Sequence, residues 1–334
     1  MTRRALLVVN PSARGLPPLR QIQEAADWLR TRGWDVTLET TAAPGEATRL
    51  ARRAASRGRS VVVACGGDGT IHEVVNGLAG SEAVLAVIPG GTANVWAKDA
   101  RLPRRPLEAA RIIEDGRCRR IDLGLIEWEA PRRAPPDGAP LRASASGPVW
   151  ARSGHRAERR YFLLMVGIGL DAHVVARVSQ GWKRRLGAAA YVLTAAREAL
   201  FYRSQPVELE LDGRERLSLR LGWMLAGNTR CYGGVTHIAS RALADDGLLE
   251  LLIFSGYNLL RATGYGLATL AGRHYGAPGV TYRQAAEIEV AGPSSLPIQA
   301  DGEFVGYTPL RLRVVPGALQ VLVPDEPNPL FGAT

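Results

Sequence analysis

Apolar positions in the first 115 residues fall into two alternating patterns. Short runs at Ala5–Val9, Val61–Cys65 and Ala83–Ile88 read as strands buried on both faces, and Asp35–Thr40 alternates as a further strand. Between them, apolar residues recur at helical spacing. Ile22, Ala25, Ala26 and Leu29 mark a helix over Gln21–Thr31, and Glu46–Ser56 reads as a basic helix. Ile71, Val74, Val75 and Leu78 mark the next helix, and others are predicted near Ala93–Ala100 and over Leu107–Asp115. Strands alternating with helices predict a parallel α/β sheet with ligands at the C-terminal ends of its strands.

The pattern changes after Arg120–Glu127. Residues 129–160 are rich in Pro, Ala, Arg, Ser and Gly without periodicity, which predicts a long flexible loop. Beyond Phe162 the chain is β-rich, with strands predicted at Tyr161–Gly169, Val207–Leu211, Leu217–Gly227, Leu248–Phe254, Ala286–Val290, Ile298–Ala300, Leu310–Val315 and Ala318–Val323. Asp212-Gly213, Asp301-Gly302 and Pro316-Gly317 separate several of them as hairpin turns would. Two helical segments interrupt, roughly 181–203 and 257–275.

Three glycine-rich turns, at 10–15, 66–70 and 89–94, stand at equivalent strand ends. Glycines let backbone approach a ligand closely, and a helix N-terminus attracts anions. In Gly66-Gly67-Asp68-Gly69-Thr70 the amides of Thr70, Ile71 and His72 are expected to point out of the helix, which suits phosphate. A carboxylate there fits if Asp68 orders the turn by accepting backbone N–H groups, reaches a ribose hydroxyl or faces Mg²⁺. Gly167-x-Gly169-x-x-Ala172 matches a dinucleotide fingerprint, but no acid stands about twenty residues on, so it reads as a packing turn.

Composition narrows the partners. The formal net charge of +10 suits nucleotides, nucleic acid or an anionic membrane. No nucleic-acid motif or aromatic stacking pattern accompanies it, so nucleic acid is not an expected partner. No apolar run approaches the ~20 residues of a membrane span, and none suits a signal peptide, so a cytoplasmic location is expected. The three cysteines are scattered and suggest neither a disulfide framework nor a zinc site. His173, His237 and His274 read as structural or surface residues.

The ordered motifs resemble the diacylglycerol kinase catalytic family, in particular its soluble bacterial lipid-kinase branch. They are Val9-Asn10-Pro11, Thr41 with Pro44-Gly45, Gly66-Gly67-Asp68-Gly69-Thr70 and Gly91-Thr92-Ala93-Asn94. Then follow Gly167–Ala172, Ala226-Gly227-Asn228, Gly233-Gly234, Asp245-Asp246-Gly247-Leu248-Leu249 and Asp301-Gly302-Glu303. Sphingosine kinases are related, and NAD kinases share the glycine-aspartate element more distantly. The resemblance implies a Rossmann-like α/β ATP-binding domain over residues 1–122, to which the extreme C-terminus can return. It implies a β-rich, sandwich-like lipid-substrate domain over 123–325, with the active site in the cleft between the two. Asn10, Pro11, Ser12, Ala13, Arg14, Thr41, Gly66, Gly67, Asp68, Gly69, Thr70, Ile71, His72, Glu73 and Thr92 would hold ATP. Asp246, with Leu243 and Leu248 through their carbonyls, would hold a structural Mg²⁺. Asp301 and Glu303 would form the catalytic turn, one of them taking the proton from a lipid hydroxyl. Two positions depart from the family: His72 stands where Asn is usual, and Val95 where Asp is usual.

The expected activity is therefore ATP- and Mg²⁺-dependent phosphorylation of diacylglycerol or a similar lipid alcohol, in a protein peripheral to the inner membrane face. Homodimerisation is left open. The segment 181–203 combines apolar residues with Lys183, Arg184, Arg185, Arg197 and Arg203, as a helix on an anionic bilayer would. The alternatives are a kinase of a soluble substrate such as NAD, or a non-catalytic nucleotide-binding protein.

Overall fold

The structure, a computed structural model, describes residues 3–58, 61–129, 157–177, 198, 202–256, 259–293 and 295–332. The expected membrane-facing segment 181–203 lies outside the described residues apart from Glu198, Tyr202 and Arg203.

Strands β1 (Arg4–Val9), β2 (Asp35–Thr40), β3 (Val61–Gly66) and β4 (Val84–Pro89) form a parallel sheet in the order β4-β3-β1-β2. Helices α1 (Leu19–Arg30), α2 (Glu46–Ser56), α3 (Asp68–Leu78), α4 (Val95–Asp99) and α5 (Pro106–Asp115) cover it. Alternate side chains serve opposite faces. Leu6, Val8, Val62, Ala64, Leu85 and Val87 pack in one core with α2, α3 and α4. Leu7, Val9, Val63, Cys65, Ala86 and Ile88 pack in another with α1 and α5. Burial on both faces is what the uninterrupted apolar runs encode. The helices α2 and α3 can lie close because a Cβ at Gly77 would stand 2.6 Å from the Thr48 carbonyl oxygen.

The sheet register fixes the site. Val9 pairs with Thr40 on one side and Cys65 on the other, and Gly66 pairs with Pro89. The loops after β1, β2, β3 and β4 therefore leave the sheet at one edge. The chain crosses the sheet in opposite directions from β1 to β2 and from β3 to β4, which places the switch point between β1 and β3.

The second half is β-rich. It contains β5 (Arg117–Glu129), β6 (Ala157–Phe162), β7 (Met165–Gly169), α6 (Leu170–Arg177), β8 (Gln205–Leu211), β9 (Glu215–Gly227) and β10 (Leu249–Ser255). Then come α7 (Leu259–Leu270), β11 (Val280–Ala285), β12 (Glu287–Ala291), β13 (Pro297–Ala300), β14 (Glu303–Tyr307) and β15 (Leu310–Val323). Their pairing is antiparallel, around a core that includes Phe162, Ile168, Met224, Ile253 and Ile298.

Two elements join the halves. Strand β15 pairs with β12 near Leu310 and parallel to β4 at Gln320 and Val321, with β5 antiparallel along its length. Pro316-Gly317 is therefore a bulge inside one strand rather than a hairpin turn, and Asp122 Oδ1 accepts the Gly317 amide at 2.7 Å. Residues 157–160, expected in a loop, belong to β6 and pair with β5. Among the described residues, no helix is long and apolar enough to cross a membrane.

Candidate active site

The helix α3 begins at Asp68, three residues before Ile71, the first position of its apolar spacing. Its first-turn amides, those of Asp68, Gly69 and Thr70, have no acceptor within the helix. The Ile71 amide instead donates to the Gly67 carbonyl at 3.1 Å, and the Ile71 side chain is buried in the core. Ile71 thus anchors the turn by packing.

The glycine turns interlock. Gly90 N donates to Gly66 O at 2.7 Å, and Gly15 N to Gly90 O at 2.9 Å. A Cβ on Gly91 would stand 2.6 Å from the Gly67 Cα, so only glycine lets these loops touch. Asn10 Nδ2 donates to Thr70 Oγ1 at 2.9 Å, and Asn10 Oδ1 accepts the Ser12 amide at 3.0 Å, which shapes the Pro11–Arg14 loop. Ala13 N donates to Asn10 O at 3.1 Å and Thr41 N to Val9 O at 2.9 Å. Arg14 and Thr92 are exposed on the same rim.

Asp68 Oδ1 accepts the Val95 amide at 2.7 Å, which ties the second turn to the third. Burial, chiefly, and the neighbouring Asp301 charge push the Asp68 carboxyl above its ordinary value, against the amides of Val95 and Asn94. Val95 supplies its amide while its side chain packs in the core, so the departure at this position keeps the backbone contact.

Glu73 reaches from α3 to the start of α2. Its carboxylate accepts Gly45 N at 2.9 Å and Ala47 N at 3.1 Å, capping α2 across the α2–α3 contact. It positions the Thr41–Gly45 loop.

Asp301 is the keystone between the halves. It sits at φ 50° in the β13–β14 turn, a conformation that Asp tolerates better than most side chains. Its Oδ1 accepts the amides of Leu164 (2.8 Å) and Met165 (3.0 Å), and its Oδ2 accepts Leu163 N (2.8 Å) and His72 Nδ1 (2.8 Å). Burial alone raises such a carboxyl, but the His72 hydrogen bond and the Leu163 and Met165 amides outweigh it and hold it below its ordinary value. With four donors on two oxygens, Asp301 is committed to structure. Of the two acids expected at the catalytic turn, Asp301 is thus the one whose oxygens are occupied.

His72 is likewise committed. Nδ1–H donates to Asp301, so Nε2 is the acceptor for the Arg160 Nε–H. This buried imidazole bridges the domains through both ring nitrogens. Arg160 in turn donates through Nη2 to Glu303 Oε2 at 2.5 Å. A chain of contacts therefore runs Asp301, His72, Arg160, Glu303. At its end, Glu303 Oε1 lies 3.3 Å from the point where a Cβ on Gly69 would stand, hard against the first turn of α3. Glu303 is 46 % exposed, open to an incoming molecule. Arg160 went unnoticed in the sequence because it ends an aperiodic stretch with no motif around it.

At the predicted metal turn, Asp246 Oδ1 accepts the Leu248 amide at 3.0 Å. Beneath it, Asp122 is buried and accepts Gly247 N at 2.7 Å. Burial first, then the Asp122 and Asp245 charges, raise the Asp246 carboxyl against the Leu248 amide. A hard cation takes oxygen ligands of the kind that Asp246 and the backbone carbonyls of this turn offer. Lys98 Nζ donates to the Gly234 carbonyl at 2.6 Å. At Gly167-x-Gly169, a Cβ on Gly167 would lie 2.1 Å from Asp171 Oδ2, so these glycines serve packing.

Residues 4–126 match the model of the diacylglycerol kinase catalytic domain, and residues 164–323 that of the YegS C-terminal NAD kinase beta sandwich-like domain. A Pseudomonas fluorescens protein described as a probable lipid kinase, YegS-like, is 30% identical over 99% of this chain and 98% of its own length. The chain belongs to the YegS-like and diacylglycerol kinase family. The diacylglycerol kinase of Bacillus subtilis is 27% identical over 97% of each chain. The crystal structure of a Bacillus anthracis diacylglycerol kinase shares the fold of this kinase, with TM-score 0.66 at 19% identity and 97% coverage of both chains. Membership in this family of kinases implies ATP as phosphoryl donor, and the cradle of amides described above lies in the part that matches the catalytic domain.

Proposed function

We propose that this kinase transfers the γ-phosphoryl group of ATP to the hydroxyl of diacylglycerol or a similar lipid alcohol, with Glu303 as general base. The observation that carries this reading is the 3.3 Å approach of Glu303 Oε1 to the Gly69 Cβ position. It sets an acid beside amides suited to phosphate.

The roles follow from the donors. The amides of Asp68, Gly69 and Thr70 and the Asn10–Arg14 loop receive the triphosphate, with Gly66, Gly67 and Thr92 shaping the rim. Glu303 takes the proton of the alcohol as its oxygen bonds to the γ-phosphorus, the bond from that phosphorus to the bridging oxygen breaks, and ADP leaves. Arg160 holds Glu303 in line, and His72 and Asp301 hold Arg160. Mg²⁺ supplies charge neutralisation at the phosphates when bound. A second, structural Mg²⁺ belongs at Asp246 with the carbonyls of Leu243 and Leu248. The kinase meets its lipid at an anionic membrane surface, toward which its excess of basic residues directs it.

The deciding experiment is incubation of the full chain with γ-labelled ATP and a total lipid extract, with and without Mg²⁺, beside a parallel reaction with NAD. Labelled lipid that requires Mg²⁺ is expected. Label on NAD alone, or none on either, overturns the reading.

A further inference from the structure

Asp99, Cys231 and His237 have no part in the reaction, yet they converge where α4 meets the 231–237 loop. The carboxylate oxygen, the thiol sulfur and the imidazole nitrogen all lie within 4.8 Å of one another. Asp99 Oδ1 and His237 Nε2 are 3.6 Å apart. That is too long for a hydrogen bond. It is close to the ~3.3 Å that separates two ligands of one tetrahedral ion at ~2.0 Å each.

The surroundings aim these groups. The other oxygen of Asp99 accepts Arg230 N at 2.9 Å and Cys231 N at 2.7 Å, the kind of outer bond that fixes a ligating carboxylate. The loop is closed by a bridge in which Tyr232 N donates to Thr236 O at 2.6 Å, with Gly233 and Gly234 at positive φ. Cys231 and His237 flank that bridge and so face each other. Lys98 Nζ, bonded to the Gly234 carbonyl, ties the loop to α4. Cys231 is buried and His237 is 64 % exposed, so one side of the cluster opens to solvent.

We propose that Asp99, Cys231 and His237 form a transition-metal site of the zinc type, separate from the Mg²⁺ of the reaction. Thiolate and imidazole select a borderline-soft ion over Mg²⁺, which takes oxygen ligands. One carboxylate and one thiolate balance the charge of a divalent ion. The thiol proton is released to solvent on binding, and a water fills the fourth position. The ion staples α4 of the α/β domain to a loop of the β-rich domain. Three cysteines without regular spacing hid this set, because its members lie 132 and 6 residues apart and only the fold assembles them.

The test uses the full chain, stripped with a chelator and titrated with Co²⁺ alone. One equivalent is expected to produce a thiolate-to-cobalt charge-transfer band, which one equivalent of Zn²⁺ bleaches and excess Mg²⁺ does not. Cys231→Ser abolishes the band and Cys118→Ser keeps it. His237→Ala, at an exposed position that does not endanger folding, weakens Co²⁺ binding about tenfold or more. The proposal is overturned if the wild type gives no thiolate band, if Cys231→Ser keeps it, or if His237→Ala binds Co²⁺ as tightly as wild type.

Discussion

His72 and Asp301, 229 residues apart in the chain, meet through a 2.8 Å hydrogen bond between side chains only 3 % and 2 % exposed. One end belongs to the helix of the phosphate turn and the other to a turn of the β-rich domain. His72→Ala leaves the Asp301 carboxylate buried with one donor fewer. A lost hydrogen bond to a charged buried group costs about 1.5–3 kcal/mol. His72→Asn costs less, because an amide can still donate to Asp301. Chemical denaturation of the three proteins should rank them wild type, Asn, Ala. An Ala variant that unfolds at the wild-type midpoint would remove Asp301 from its place as keystone.

Glu303→Gln should separate chemistry from fold. The side chain is half exposed, and its ion pair with Arg160 is worth less than about 1 kcal/mol. Thermal melting should therefore hardly move. Loss of a general base should lower turnover by about 10²–10⁴-fold, with ATP binding retained. Full turnover in this variant would pass the proton to another group and undo the assignment.

The parallel sheet and its glycine loops were legible because each rests on local chemistry. Apolar β-branched runs buried on both faces, and glycines where loops touch, leave a mark at every position they use. The start of α3 was displaced because Gly67 and Gly69 carry no helical signal, although the first turn of a helix tolerates them. Arg160 and Asp122 were hidden for another reason. β6 follows an aperiodic stretch and pairs with β5, and Asp122 lies amid apolar neighbours with its amide partners Gly247 and Gly317 far along the chain. For Asp301-Gly302-Glu303, the motif marks the turn between β13 and β14. Which acid is sealed by four donors and which stays open depends on contacts with β7 and α3 that no local pattern records.

Gly91→Ala should weaken ATP binding. The new Cβ would stand 2.6 Å from the Gly67 Cα and 2.9 Å from Asn94 Oδ1, closer than real contacts allow. Backbone must give way, at about 1–3 kcal/mol. If that strain falls on the ATP-bound arrangement, affinity drops roughly tenfold to a hundredfold. Gly264→Ala, in α7 with nothing within 4 Å of its Cβ, is the control and should bind ATP as wild type does. Calorimetry with ATP reads both; equal affinity in Gly91→Ala would mean that the two loops can part without touching the nucleotide site.

Asp171 tests how burial shapes stability against pH. Its Oδ1 accepts the Tyr232 hydroxyl and its Oδ2 accepts Gln299 Nε2 at 2.8 Å. Burial raises its carboxyl above the ordinary value, and the two hydrogen bonds offset this only in part. As pH rises past the unfolded value of about 3.9, the unfolded chain gives up this proton before the folded one does. The folded state then binds more protons, so stability falls with rising pH until the folded carboxyl has titrated, and levels off above it. Asp171→Asn has the same shape, can accept from Gln299 and donate to Tyr232, and does not titrate. Measured against wild type at each pH, the variant should gain relative stability across that window and hold the gain above it. Other buried acids such as Asp68 and Asp246 titrate in both proteins and cancel in the difference. Parallel stability curves would show that Asp171 bears no net burial penalty.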